Sequence, residues 1–122
     1  PGHTAQSVSL LDRSAGWLFT GDLIYPTMLY AFLPGASISA YRQTTDRLLT
    51  TLPAETTLWA AHCCRRDEDF SAPWLSMDDV QDLDRVLARV EEGQSESEGF
   101  FPRRFPVNRQ MILGTGFRWN NR

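Results

Sequence analysis

Lysine is absent from this chain, and all twelve basic residues are arginine. That excludes a catalytic ε-amino group and any Schiff-base mechanism. Histidine is scarce: only His3 and His62. The only two cysteines, Cys63 and Cys64, are neighbours in the chain. Adjacent cysteines have little freedom to reach disulfide geometry. A disulfide-stapled secreted domain is therefore a poor reading, and a reducing cytoplasm is the expected compartment. No apolar run approaches the ~18 residues of a membrane span, so no membrane contact is expected. Positive charge is not in excess either. Twelve basic residues face fifteen acidic ones, for a formal net charge of −3 and a pI near 5.3. That balance speaks against nucleic acid as a partner.

What is present suits one small globular unit. The chain has 122 residues, 42% hydrophobic and 22% charged, enough for a single hydrophobic core. Residues 6–12, QSVSLLD, alternate in part, with Val8 and Leu10 on one face. Residues 17–21, WLFTG, are apolar and aromatic, and RSAG between them has turn chemistry. The pair reads as a β-hairpin. Residues 22–36 read as irregular because of Pro26, Pro34 and Gly35. A helix is expected from about Ser37 or Ser39 to Leu52. Ile38, Tyr41, Leu48, Leu49 and Leu52 share one face, and Pro53 stops it.

Residues 56–62, TTLWAAH, read as a short strand ending on a histidine. A second helix follows, with Ser76 and Asp79 in a capping-box pattern. Asp78, Asp79 and Asp82 suit the positive end of its dipole. Val80, Leu83, Leu87 and Val90 form its stripe, and Gly93 ends it. Residues 91–99 read as a flexible loop. The tail after it is apolar enough to pack, with a strand expected near 109–113.

This order of elements brings distant residues together. In an antiparallel hairpin the start of the first strand lies beside the end of the second. With Leu11 opposite Trp17, His3 faces about residue 25, near Asp22 and Tyr25. Strand 17–21, helix 37–52 and strand 57–61 form a right-handed βαβ unit if the strands are parallel. Asp22 and His62 then follow parallel strands onto the rim where open α/β sheets bind ligands. Both histidines and one aspartate thus converge. Imidazole and carboxylate are suitable ligands for zinc or iron. Taken singly, His3 also reads as a turn residue, Asp22 as a turn or cap residue, and His62 as a surface histidine.

The segments PGHTAQSVSLLD and LFTGD, with the strand-end His62, resemble the metallo-β-lactamase-fold hydrolase superfamily over residues 1–62. The resemblance implies the C-terminal half of an αββα sandwich, with residues 1–122 a single partial domain. It implies that His3 binds a first metal, Asp22 bridges two, and His62 binds the second. The metals are zinc ions, two per complete site, with iron or manganese as alternatives. The activity implied is hydrolysis of an acyl bond by a metal-bound hydroxide, in the glyoxalase II, lactonase and thioesterase-like branches. Thioester and lactone are preferred over β-lactam. Tyr25 then stands where a lactonase-like tyrosine contacts the substrate carbonyl, although a core tyrosine anchored by its hydroxyl is the plainer reading.

The chain departs from the family pattern in two ways. Residues 60–64 are AAHCC, where glycine usually precedes the histidine, and a thiol of Cys63 or Cys64 could reach a metal or simply be buried. The His-x-His-x-Asp-His segment has no counterpart, which leaves each metal two ligands from this chain rather than the usual three. A half sandwich leaves one sheet face uncovered. The expected partners are therefore a small-molecule acyl substrate and either the missing N-terminal half or a second copy. The alternative function is a truncated, metal-free remnant serving as a binding or structural module.

Two further groups have alternative uses. Arg65, Arg66, Arg103, Arg104 and Arg109 could grip an anionic substrate, or form a solvated face paired with Asp67, Glu68 and Asp69. Phe70, Trp74 and Leu75 could wall an acyl pocket, or seal the second helix onto the sheet.

Overall fold

A computed structural model describes residues 1–62, 72–94 and 96–116. The hairpin forms from β1 (Leu10–Asp12) and β2 (Trp17–Gly21). Its turn is built by Asp12, whose carboxylate accepts from Ser14 N, Ser14 Oγ and Ala15 N. The register differs by one residue from the sequence expectation: Leu11 faces Leu18, and Asp12 faces Trp17. The Asx turn draws Asp12 itself into the ladder and so moves every partner by one.

Residues 22–36 are not all irregular. They contain β3 (Thr27–Ala31), which pairs in parallel with β7 (Met111–Thr115). Thr27 enters this strand at φ +121°, a strained conformation for a β-branched residue. Its N–H donates to Gln110 O at 2.8 Å. Pro26 hides the strand in sequence, and its pairing partner lies at the far end of the chain.

Helix α1 (Ile38–Thr51) starts at Ser37, whose Oγ accepts from Ala40 N. Strand β4 (Thr57–Ala60) then runs parallel to β2, completing the βαβ unit. A two-residue strand, β5 (Trp74–Leu75), lies antiparallel to β4. Helix α2 (Met77–Glu91) opens with both Ser76 N–H and Oγ–H donating to Asp79 Oδ2. Gly93 follows its end at φ +73°, the left-handed position that terminates helices. Beyond it, Glu98 and Arg104 exchange backbone hydrogen bonds, and β6 (Arg103–Pro106) pairs antiparallel with β7.

The strands make two sheets, in the orders β1-β2-β4-β5 and β3-β7-β6. This is a mixed α/β fold. One continuous core joins Leu18, Leu58 and Leu75 of the first sheet to Leu29, Phe105 and Leu113 of the second, and to Tyr41, Val80, Leu83 and Leu87 of the helices. The alternate residues are left outside. Leu10, Phe19, Trp59 and Trp74 lie opposite one another across all four strands of the first sheet. Leu10 is 69% exposed and Trp74 56%, and Trp17 and Phe19 are each nearly half exposed. Tyr30 and Ile112 are exposed on the second sheet. Sheets with parallel pairs normally have both faces covered.

Candidate functional site

The site forms where β2 and β4 end. Their ladder carries a bulge: Phe19 pairs with Trp59, but Gly21, two residues on, pairs with Ala60. Thr20 is the extra residue. Its buried hydroxyl donates to Ile24 O at 2.7 Å and lies 3.3 Å from Trp59 O. Bulges of this kind re-aim side chains next to active sites. Gly21 then turns the chain at φ +56°, and Leu23 N donates to Thr20 O. The result is a tight loop with Asp22 at its tip. Ala61 N donates to Gly21 O at 3.2 Å, carrying the parallel pairing one step past β4 and setting His62 beside Asp22.

The pair is in direct contact: His62 Nε2 lies 2.7 Å from Asp22 Oδ1. The two side chains are 57% and 48% exposed. An ion pair this open contributes only about 0–1 kcal/mol, so stability gives little reason for it. The Tyr25 ring, buried, meets the His62 ring edge-on with centroids 5.5 Å apart. That contact limits rotation of the imidazole.

His3 follows a different route. Its Nδ1 lies 3.0 Å from Tyr30 O. A carbonyl only accepts, so Nδ1 is the donor, and in the neutral imidazole Nε2 then keeps a lone pair. A ligating histidine is commonly oriented in this way, by a carbonyl on its other nitrogen. The sequence places His3 opposite residue 25 through the hairpin. Pairing instead begins at Leu10, and Tyr30 on β3 takes the histidine. The structure thus brings Asp22, His62 and Tyr25 into contact, while His3 is held against β3 of the other sheet. Among the described residues, no three His, Cys, Asp or Glu side chains gather into a group that could hold a metal.

The donors present suit a divalent ion in kind: one carboxylate and imidazole nitrogens. Asp22 and His62 are the two that face each other, and their number falls below the three protein ligands of a catalytic zinc site. Cys63, Cys64, Arg65, Arg66 and Phe70 lie outside the described residues. The tail arginines are used locally in part. Arg103 Nε donates to Ser97 Oγ at 2.9 Å, and its guanidinium lies 5.3 Å from the Phe105 ring centroid. Leu75 is fully buried in the core, whereas Trp74 faces outward.

Two residues that shape the site carry no signal of it in sequence. Thr20 reads as one more strand residue, and Tyr41 as one more member of a helical stripe. Tyr41 is fully buried, and its hydroxyl donates to Leu23 O, next to Asp22. Burial, and after it the nearby Tyr25 and Asp22, pushes the Tyr41 phenol far above its ordinary value. It is therefore a permanent donor.

Part of the chain is similar to known proteins. It is 41% identical over 49 residues to proteins named acyl-coenzyme A thioesterase MBLAC2 from Bos taurus and from Homo sapiens. The match takes in 40% of this chain and spans 18% of the length of those relatives. No family profile matches the chain, and no solved structure matches it.

Proposed function

We propose that this chain is the C-terminal half of a metallo-β-lactamase-type αββα sandwich, and that it carries part of the site of a metal-dependent hydrolase acting on an acyl bond, a thioester before a lactone. The observation that carries the reading is the 2.7 Å contact between Asp22 and His62 at the C-terminal ends of two parallel strands. An exposed pair with little value to stability, on the rim where such sheets bind ligands, fits a chemical role. The partial likeness to acyl-coenzyme A thioesterases supports the substrate class.

In this reading Asp22 and His62 would hold the ion, through the carboxylate and the Nε2 that face each other. His3, in the turn before the hairpin, would offer Nε2, its ring aligned by the Tyr30 carbonyl of β3 in the other sheet. The Tyr25 ring packs edge-on against the His62 ring. A zinc ion bound there supplies Lewis acidity toward the acyl carbonyl. Further ligands would come from a front half whose sheet covers the exposed Leu10, Phe19 and Trp74, with the partly buried Trp59 between them.

Equilibrium dialysis of the 122-residue chain against zinc tests the reading, with and without a front-half polypeptide bearing a His-x-His-x-Asp-His segment. Retained zinc that falls at least tenfold on Asp22→Ala or His62→Ala is the expected outcome, with thioester hydrolysis in the joined protein. If neither the chain nor the joined protein retains zinc, the metal-free remnant takes its place.

A further inference from the structure

The first turns of α1 grip both loops of the site at once. Ser37, Tyr41 and Thr44 stand at i, i+4 and i+7, on one face of the helix and its cap. Ser37 N donates to Gly2 O at 3.0 Å, and Thr44 Oγ1 donates to Pro1 O at 2.7 Å. Between them the Tyr41 ring lies flush against Gly2. A Cβ at position 2 would sit 2.5 Å from Tyr41 Cγ and 2.8 Å from Tyr41 Cα, and Gly2 has φ +142°. Only glycine fits there, on both counts. The far end of the same ring donates its hydroxyl to Leu23 O, in the loop that presents Asp22. One rigid side chain thus touches the residue before His3 and the residue after Asp22.

We propose that Tyr41 is a positioning residue for the metal ligands, setting the His3 turn at a fixed distance from the Asp22–His62 pair, and that Gly2 is glycine to admit it. The assignment rests on the metal-site reading above but goes beyond it, because it concerns how the ligand loops are held. A rigid phenol suits the task, since its ring has two torsions and both ends are pinned. The remaining neighbours act with it. Thr20 ties the Asp22 loop to β4, and Thr4 N and Oγ1 bond Ser7 Oγ just after His3.

The test uses Tyr41→Phe, which keeps the ring and removes the hydroxyl, and Gly2→Ala, which disturbs the same contact from the other side. Leu87→Ala serves as a control that weakens the core on α2 away from both loops. Zinc affinity is measured with a chromophoric competitor, and the two imidazoles are followed by long-range 1H–15N spectra without metal. Tyr41→Phe is expected to weaken zinc about tenfold, the scale seen when a residue that orients a ligand is lost. It should also shift the His62 signals in the metal-free protein. Gly2→Ala should shift the His3 signals. Leu87→Ala should lower the melting temperature while leaving zinc affinity within twofold.

The proposal is overturned if both variants leave the imidazole signals in place, or if Leu87→Ala weakens zinc as much as Tyr41→Phe does. Wild-type protein whose imidazoles ignore zinc sinks the metal reading instead. In that event the metal-free spectra still decide whether Tyr41 holds the two loops.

Discussion

Single residues in this protein often serve two elements. Asn108 is the clearest case outside the site. Its Nδ2 donates to Asp79 Oδ1 and Asp82 Oδ2, and its Oδ1 accepts from Gln110 N and Met111 N. It thus ties the start of α2 to the entry of β7. Asn108→Ala leaves the mostly buried Asp79 short of a donor, so a loss of about 1–3 kcal/mol is expected. Urea unfolding should show a lower midpoint at an unchanged slope. Asp12 makes a pH-dependent contribution. The Ser14 hydroxyl first, then the Ala15 and Ser14 backbone N–H groups, hold its pKa below the ordinary carboxylate value. Its stabilisation is present above the unfolded value and is lost as pH falls through the lower folded one. Melting temperature measured against pH should therefore fall in acid, and less steeply for Asp12→Asn. In sequence Asp12 reads as the end of the first strand, not as the residue that builds the turn, and nothing in the sequence marks Asn108 as a clasp.

At the scale of elements, local signals proved sufficient for both helices. The Pro53 stop, the Ser76–Asp79 pair and Gly93 stand where the sequence puts them, and of the two starts it offers for α1, Ser37 and Ser39, the structure takes Ser37 as the cap. The stripe on α2 is buried as its spacing implies, with Val80, Leu83 and Leu87 fully enclosed. Leu83→Ala should cost about 2–5 kcal/mol, read from chemical denaturation. On α1 the same logic is less complete. Tyr41, Thr44 and Thr45 are its buried residues, and Thr45 Oγ1 donates to Asp84 Oδ1 of α2 at 2.6 Å. Periodicity of apolar residues does not register a buried threonine that pays its way through a hydrogen bond to the next helix. Strands β3, β5 and β6 do not show in sequence for a related reason: each is held by a partner that local pattern does not name.

For the whole molecule the dominant feature is the row of Leu10, Phe19, Trp59 and Trp74, exposed except at the partly buried Trp59, with Val8, two residues before Leu10, 78% exposed. Contiguous apolar surface of this kind marks an interaction site. Trp17 meets both Phe19 and Trp59 edge-on, so the patch is already packed within itself. If a front half of the proposed sandwich covers it, adding such a polypeptide should shift tryptophan emission to the blue and displace a surface-binding dye such as ANS. Phe19→Arg should abolish both changes while leaving the circular dichroism of the chain unaltered. No helix among the described residues is long and apolar enough to cross a membrane.

The sequence by itself determined the βαβ unit, both helix boundaries, and the meeting of Asp22 with His62. Each follows from local chemistry: apolar spacing, caps, a turn, and the rule that parallel strands end on one edge. Only the tertiary structure decided that His3 leans on Tyr30, that β3 pairs with β7, and that Tyr41 touches both Gly2 and Leu23. Those outcomes depend on backbone carbonyls and close approaches between segments far apart in the chain. A carbonyl has the same identity at every residue, so its partner can be read only once the chain is folded.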